Sequence, residues 1–203
     1  MVLYAGRIAS EKGIQELPQI IARIRERIPN AVLALAGTGP LSEEMKRELP
    51  DAYHLGWLPR EKLAAVYASS DVLVLPSWFD TFSCVVLEAM ACGLPVVAYN
   101  TKGPRDLILN GVCGYHADST EAMADLAADY LLQPGLAATF RRAAVERAAQ
   151  FEAGPIVDRL LSFTGISQEA VESQEGLVKV SAGQSEPAFA IPGEGIDPTL
   201  EDF

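Results

Sequence analysis

With 203 residues, 49% of them hydrophobic, the chain can bury a substantial core and is too apolar to be wholly disordered. Its 27 acidic residues outnumber the 16 basic ones, for a net charge of −11, which argues against a general nucleic-acid binder with its clustered cations. No apolar run reaches the ~18 residues of a membrane span.

In chain order, Val2-Leu3-Tyr4-Ala5 predicts a strand. Residues 14–28 predict a helix, with Ile14, Leu17, Ile20, Ile21, Ile24 and Ile28 at helical spacing. A strand at 31–36, a short helix at 41–48 and a strand at 53–55 follow. Then come a helix at 60–69, a strand at 71–75, a helix at 84–92 and a strand at 95–99. A short helix at 105–109, a strand at 114–116 and helices at 120–132 and 136–150 complete the pattern. The strands are apolar throughout rather than alternating, as burial on both faces of a parallel sheet demands. Helices between strands make right-handed crossovers. The predicted fold class is therefore α/β, a doubly wound, mostly parallel sheet with helices on both faces.

Residues 165–203 differ. They hold eight acidic residues against Lys179 alone, which leaves residues 1–164 with −4 of the −11. Gly183, Pro187, Pro192, Gly193, Gly195 and Pro198 interrupt any periodicity. Such a composition buries too little apolar surface to offset chain entropy. The expectation is a flexible acidic tail or linker at 165–203 after a folded unit at 1–164. The first residues lack the basic start and small-residue cleavage site of a signal peptide. Cys84, Cys92 and Cys113 show neither disulfide arithmetic nor metal spacing. A soluble, cytoplasmic protein is expected.

In doubly wound sheets, ligands bind beyond the carboxyl ends of the strands, which singles out the loops at 6–13, 37–40, 56–60, 76–84 and 100–105. The first, Gly6-Arg7-Ile8-Ala9-Ser10-Glu11-Lys12-Gly13, places two cations five positions apart between glycines. Arg offers a planar fork to phosphate oxygens and Lys a point charge. A solvated loop with Lys12 paired to Glu11 is the alternative. The fourth loop runs Pro76-Ser77-Trp78-Phe79-Asp80-Thr81-Phe82-Ser83 into a helix that carries Glu88. At ~1.5 Å per residue, Glu88 stands about one turn into that helix. Asp80 and Glu88 thus flank a helix N-terminus whose free amides and dipole suit a phosphate. A ligand with sugar, diphosphate and ribose in series matches acid, helix terminus and acid. Structural alternatives are Asp80 as a cap or turn residue, and Glu88 as a surface acid or a partner of Lys12 or Arg7. Gly37-Thr38-Gly39 is a partial glycine fingerprint after the second strand rather than the first, which argues against a hydride-transfer enzyme. Gly56-Trp57-Leu58-Pro59 offers an aromatic turn for a nucleobase or for packing. His54 and His116 are read as structural.

Several stretches stand in a telling order: Gly6-Arg7, Glu11-Lys12-Gly13, Ala36-Gly37-Thr38-Gly39-Pro40, Gly56-Trp57-Leu58 and Ala68-Ser69-Ser70-Asp71-Val72. The longest runs from Leu75-Pro76-Ser77 through Phe82 to Leu87-Glu88-Ala89-Met90-Ala91-Cys92-Gly93-Leu94-Pro95-Val96-Val97. The set resembles the C-terminal, donor-binding half of the glycosyl transferases group 1 family, retaining enzymes of the GT-B fold, over about residues 1–150. The resemblance implies transfer of a hexosyl group from a nucleotide diphosphate sugar to a saccharide or lipid acceptor, with no cofactor and no bound metal. It implies that Arg7 and Lys12 contact the donor diphosphate and that Asp80, the first acid of a Glu, seven residues, Glu pattern, contacts the transferred sugar. These three would form the catalytic set. Glu88 matches the second acid, which binds the ribose diol. The amides of Phe82, Ser83 and Cys84, beside Thr81, would meet sugar and phosphate oxygens. Gly6, Gly37, Trp57 and Leu58 would line the nucleotide pocket.

Three departures stand out. The first acid is Asp rather than Glu. Ser83 replaces the usual Gly, and a side chain there disfavours positive φ, so an altered backbone is expected. Lys102-Gly103-Pro104-Arg105-Asp106 replaces a paired-glycine loop, which suggests an acceptor or phosphate contact for Lys102 or Arg105. The chain begins at the first strand of the donor domain. The acceptor-binding N-terminal domain is therefore expected to be missing, the isolated chain inactive, and any peripheral membrane association a property of the full-length protein. The rival expectation is a non-catalytic nucleotide-sugar-binding or structural interaction module of a larger multidomain protein.

Overall fold

The computed structural model describes residues 1–151 together with Gly154. The acidic segment at 165–203, and the domain boundary expected at 164, lie outside the described residues. Six strands form one sheet: β1 (Val2–Ala5), β2 (Leu33–Ala36), β3 (Tyr53–Gly56), β4 (Val72–Leu75), β5 (Val96–Tyr99) and β6 (Gly114–Ala117). Their spatial order is β3-β2-β1-β4-β5-β6, and every neighbouring pair is parallel. This is the strand order of Rossmann-like sheets, with the direction of winding reversing between β1 and β4. Every residue of β1, β2, β4 and β5 is buried, whereas the edge strands β3 and β6 are partly exposed. Unbroken apolar sequence in the central strands is the direct cause, because both of their faces need cover.

Seven α-helices supply that cover among the described residues: α1 (Leu17–Arg27), α2 (Ser42–Glu48), α3 (Arg60–Ser69), α4 (Cys84–Ala91), α5 (Pro104–Leu107), α6 (Thr120–Leu131) and α7 (Pro134–Ala149). The first helix begins at Leu17 rather than at residue 14. Residues Ser10–Lys12 and Ile14–Glu16 form 3₁₀ turns instead. Pro18 explains the difference: inside a longer α-helix its ring would strike the carbonyl of Ile14, whereas in the first turn its missing N–H costs nothing. Pro104 and Pro134 open α5 and α7 in the same way.

Helices α1 and α6 are joined by three polar rungs at four-residue spacing. Gln19 Nε2 donates to Glu121 Oε1 at 2.8 Å, Arg23 grips Asp125 through two bonds of 2.7 Å, and Arg27 meets Asp129 at 2.7 Å. The Arg23 guanidinium holds the Asp125 carboxyl below the ordinary carboxylate value. A depressed folded value means stability that is present above the unfolded value of about 4 and lost as pH falls through the folded one. Asp125→Asn should therefore lower the melting temperature slightly at pH 7, and the gap to the parent protein should close in thermal melts run below about pH 4. A gap unchanged at low pH would show that shape rather than charge joins the two helices.

Candidate functional site

The loops that leave β1, β2 and β3 are stitched together by their backbones. Gly6 N–H donates to the Ala36 carbonyl at 2.9 Å, Ile8 N–H to Thr38 at 3.0 Å, and Gly37 N–H to Gly56 at 2.8 Å. Such closeness depends on Gly37, at φ +141°, where a Cβ would lie 1.8 Å from the Gly6 carbonyl oxygen. Gly13, at φ +65°, brings the β1 loop equally close to the β4 loop, since a Cβ there would lie 1.8 Å from the Pro76 carbonyl oxygen. Beneath them the buried Tyr4 hydroxyl donates to the Arg7 carbonyl at 2.8 Å, and burial pushes its phenol above the ordinary range. It stays a proton donor.

Arg7 and Lys12 both reach the mouth of this crevice, and acids already meet both. Arg7 Nη1 lies 3.2 Å from Glu11 Oε1, with both side chains more than half exposed. Lys12 pairs with Asp80 rather than with Glu11: Nζ stands 3.4 Å from Oδ2, and only 14% of the Asp80 side chain is exposed. The other Asp80 oxygen accepts the Ser83 amide at 3.0 Å. Asp80 thus fixes the turn that leads into α4, as its alternative as a turn residue allowed, and also holds one of the two cations.

That turn bond corrects one expectation. The Ser83 amide, expected to meet a ligand, is taken by Asp80, and the Phe82 nitrogen lies beside Gly103, 3.3 Å from where a Cβ would stand. Among the described residues the amides of Cys84 and Val85, the first two of α4, meet no acceptor. Ser83 corrects a second expectation: its backbone keeps the left-handed conformation a glycine would use, at φ 58° and ψ 65°. Its hydroxyl is buried and has no partner.

Glu88 is an exposed acid on α4. It pairs with neither Lys12 nor Arg7, and its Oε2 instead accepts the Tyr67 hydroxyl of α3 at 3.2 Å. Burial, reinforced by the Glu88 charge, pushes the Tyr67 phenol above its ordinary range. Three clefts open on these residues. One of about 300 Å³ is lined by Gly6, Arg7, Gly37, Trp57 and Leu58, with Tyr67 and Val85 at its back. A second, of about 380 Å³, is lined by Lys12, Trp78, Phe79, Asp80, Thr81, Thr101 and Lys102. Glu88 lines a third, of about 760 Å³, which shares Leu58, Leu63 and Tyr67 with the first. The structure therefore brings the expected residues to one edge of the sheet but divides them among neighbouring clefts. Phe82 and Cys84 are exposed and line none of the three.

The histidines lie apart. His54 bonds the Leu49 carbonyl at 2.9 Å, and burial lowers the basicity of His116.

Residues 1–147 match the family described as Glycosyl transferases group 1. The chain belongs to that family. A GDP-mannose-dependent alpha-mannosyltransferase of Corynebacterium glutamicum is 37% identical over 134 residues, or 65% of this chain and 31% of that protein. The D-inositol 3-phosphate glycosyltransferase of Mycobacteroides abscessus is 34% identical over 179 residues, covering 81% of this chain and 39% of that one. Among solved structures, HepE of Anabaena in complex with UDP gives a TM-score of 0.71 at 22% identity, over 81% of this chain and 48% of that chain. Sucrose-phosphate synthase of Thermosynechococcus elongatus gives 0.66 at 26% identity, over 90% and 45%. The chain spans less than half the length of each. The Rossmann-like sheet is the one this group 1 family shares with its GT-B neighbours.

Within this group 1 domain, one junction escapes sequence reasoning. Glu16 Oε1 accepts the Trp78 indole N–H at 2.8 Å, while Oε2 accepts the hydroxyls of Tyr99 and of Thr120, the latter at 2.7 Å. Trp78 also stacks on Tyr99, with ring centroids 3.8 Å apart. One carboxylate thus ties the 3₁₀ turn before α1 to the Asp80 loop, β5 and α6. No motif marks these four residues; only the exposed tryptophan two positions before Asp80 hints at an anchor.

The left-handed Ser83 generates a stability prediction. A non-glycine residue there costs roughly 1–2 kcal/mol, and its buried hydroxyl gains no bond in return. Ser83→Gly should raise the melting temperature by roughly 2–8 °C in a domain of this size. A lower melting temperature would show that the hydroxyl contributes packing that outweighs the strain.

Proposed function

We propose that this group 1 chain is the donor-binding half of a retaining glycosyltransferase, which moves a hexosyl group from a nucleotide diphosphate sugar to a saccharide or lipid acceptor. The observation that carries this reading is the gathering of Arg7, Lys12, Asp80 and the first turn of α4 at one edge of the sheet, in neighbouring clefts beside the switch point between β1 and β4. In that crevice, a sheet of this order binds its ligand. The cleft walled by Gly6, Gly37, Trp57 and Leu58 takes the nucleoside, with the Trp57 ring as an aromatic wall. Glu88 accepts the ribose hydroxyls beside Tyr67, and Asp80, with Thr81, accepts those of the transferred sugar. Arg7 and Lys12 exchange their carboxylate partners for diphosphate oxygens, helped by the amides of Cys84 and Val85 and the positive end of α4.

The chemistry follows from charge. As the sugar–phosphate bond breaks, negative charge grows on the departing diphosphate. Fixed cations and amides bind that charge more tightly than they bind the intact donor, which lowers the barrier. In this proposal Arg7 and Lys12 supply the positive charge that a metal would otherwise bring, and no cofactor takes part. An acceptor-binding N-terminal domain completes the enzyme, so the isolated chain binds donor without turning it over. A cytoplasmic location belongs to the same proposal; it is supported by three free cysteines and by the lack, among the described residues, of any helix long and apolar enough to cross a membrane.

Calorimetric titration of the chain with UDP, GDP, UDP-glucose and GDP-mannose tests the reading. Replacing both Arg7 and Lys12 by Ala should weaken nucleoside diphosphate binding by at least tenfold, since each charge-assisted bond contributes roughly 1.5–3 kcal/mol. The fold should survive, because both side chains are partly exposed. Unchanged affinity in the folded double variant would remove the phosphate site.

The two acids divide the ligand between them. Glu88→Gln should weaken free nucleoside diphosphate and sugar nucleotide alike. Asp80→Asn should weaken only the sugar nucleotide, by about tenfold to a hundredfold. The Asn amide oxygen can still accept the Ser83 amide, and a Lys12 released from its carboxylate binds diphosphate no less well. Equal losses for both ligands in Asp80→Asn would contradict the placing of the sugar end.

A further inference from the structure

The 380 Å³ cleft beside Asp80 holds a charge that the proposed donor contacts do not use. Its lining carries two lysines and one acid. Lys12 is met by Asp80 at 3.4 Å, and the remaining Asp80 oxygen is engaged by the Ser83 amide. Lys102 has no ion pair or hydrogen bond among the described residues. The one acid within the cleft is thus already shared twice, and among the described residues the exposed Lys102 is left without a counter-charge there.

Lys102 is held there by the shape of its loop. Gly103, at φ +93°, packs so closely on the Asp80 loop that a Cβ would stand 3.1 Å from the Asp80 carbonyl oxygen. On the other side, the Thr101 amide turns back onto the Tyr99 carbonyl at 2.8 Å. The loop after β5 is therefore pinned at both ends, with its lysine between, against the segment that carries Asp80. Phe79, 80% exposed, forms an apolar wall of the same cleft, and Thr81 adds a hydroxyl, while the Thr101 hydroxyl donates to the Ser77 carbonyl at 3.5 Å. A cation, hydroxyls and an aromatic wall around a sugar-sized space suit a sugar ring that carries an acid.

We propose that Lys102 makes this cleft a site for an anionic sugar, whose carboxylate or phosphate replaces the missing counter-charge. The anion is carried either by the transferred sugar or by the acceptor. The proposal rests on the donor-binding function above, which places the transferred sugar at Asp80. A lysine ammonium is a point charge without the planar fork of arginine, so it accepts a carboxylate or a phosphate equally. Arg7 and Lys12 remain the diphosphate contacts, and Lys102 acts one sugar unit away.

The test pairs neutral with acidic ligands. The chain is titrated with UDP-glucose against UDP-glucuronate and GDP-mannose against GDP-mannuronate, and, with UDP or GDP present, glucose against glucose 6-phosphate. The first two pairs report an acid on the transferred sugar and the third an acid on the acceptor. In one arm the parent chain should favour the acidic member by about tenfold or more, the worth of a charge-assisted bond. Lys102→Met should erase that ratio and leave free nucleoside diphosphate and neutral sugar nucleotide within about twofold. Lys102→Arg should restore the preference. Ratios near one in every arm, or ratios that Lys102→Met leaves intact, would overturn the proposal. So would an equal loss of free diphosphate, which would put Lys102 on the phosphates. In these cases nucleotide binding persists and the donor-binding function stands. A parent chain that binds none of the nucleotides would end both.

Discussion

The close approach of the loop after β1 to its two neighbours is the constraint on which the rest of the site depends. At Gly37 and Gly13, carbonyl oxygens of adjoining loops occupy the space a side chain would need. Any larger residue would push the loops apart and break the backbone bonds from Gly6, Ile8 and Gly37. The result is a floor in which three strand-end loops are bonded together and a fourth is pressed against them. Arg7, Lys12 and Asp80 stand on that floor, and their separations are inherited from it.

On this floor the charges are matched before any ligand arrives. Arg7 lies against Glu11 and Lys12 against Asp80, so in the proposed function a diphosphate would enter by exchange, one anion for another. Such exchange costs less than uncovering a bare cation, and a group without negative charge has nothing to offer in return. Asp80 takes part in three tasks at once, because it neutralises Lys12, accepts the Ser83 amide in the turn before α4 and sits in the cleft with Thr81. Its short side chain serves this crowding: the carboxylate stays close enough to its own backbone to accept the Ser83 amide.

Much of the fold is legible in the sequence because the signals are local and repeated. Unbroken apolar runs such as Val72-Leu73-Val74-Leu75 leave little choice but a doubly buried strand, and Pro76 ends it. Errors occur where two local signals compete, as at Ile14, whose helical spacing is overruled by Pro18. Arg7, Lys12 and Asp80 are legible as candidate residues through their positions beyond strand ends, and Glu88 through its place in the helix that follows. Their pairings are not, because a partner 68 residues away, as Asp80 is from Lys12, leaves no trace in local spacing. The same holds for Glu16, whose partners come from three other elements. Ser83 is the opposite case: a side chain in a left-handed position is a strain that only the surrounding contacts can sustain.

Trp57 and Trp78 are the two tryptophans of the chain, and each lines a different cleft at the carboxyl edge of the sheet. Their surroundings differ. Trp57 is 74% exposed, whereas Trp78 is stacked on Tyr99 and bonded to a carboxylate. Indole emission shifts with polarity and dims beside quenching groups, so the domain carries its own optical reporters with no label added. Filling the first cleft changes the solvent around Trp57, and movement of the Asp80 loop changes the stacking of Trp78. The two ends of a bound molecule would write different spectra.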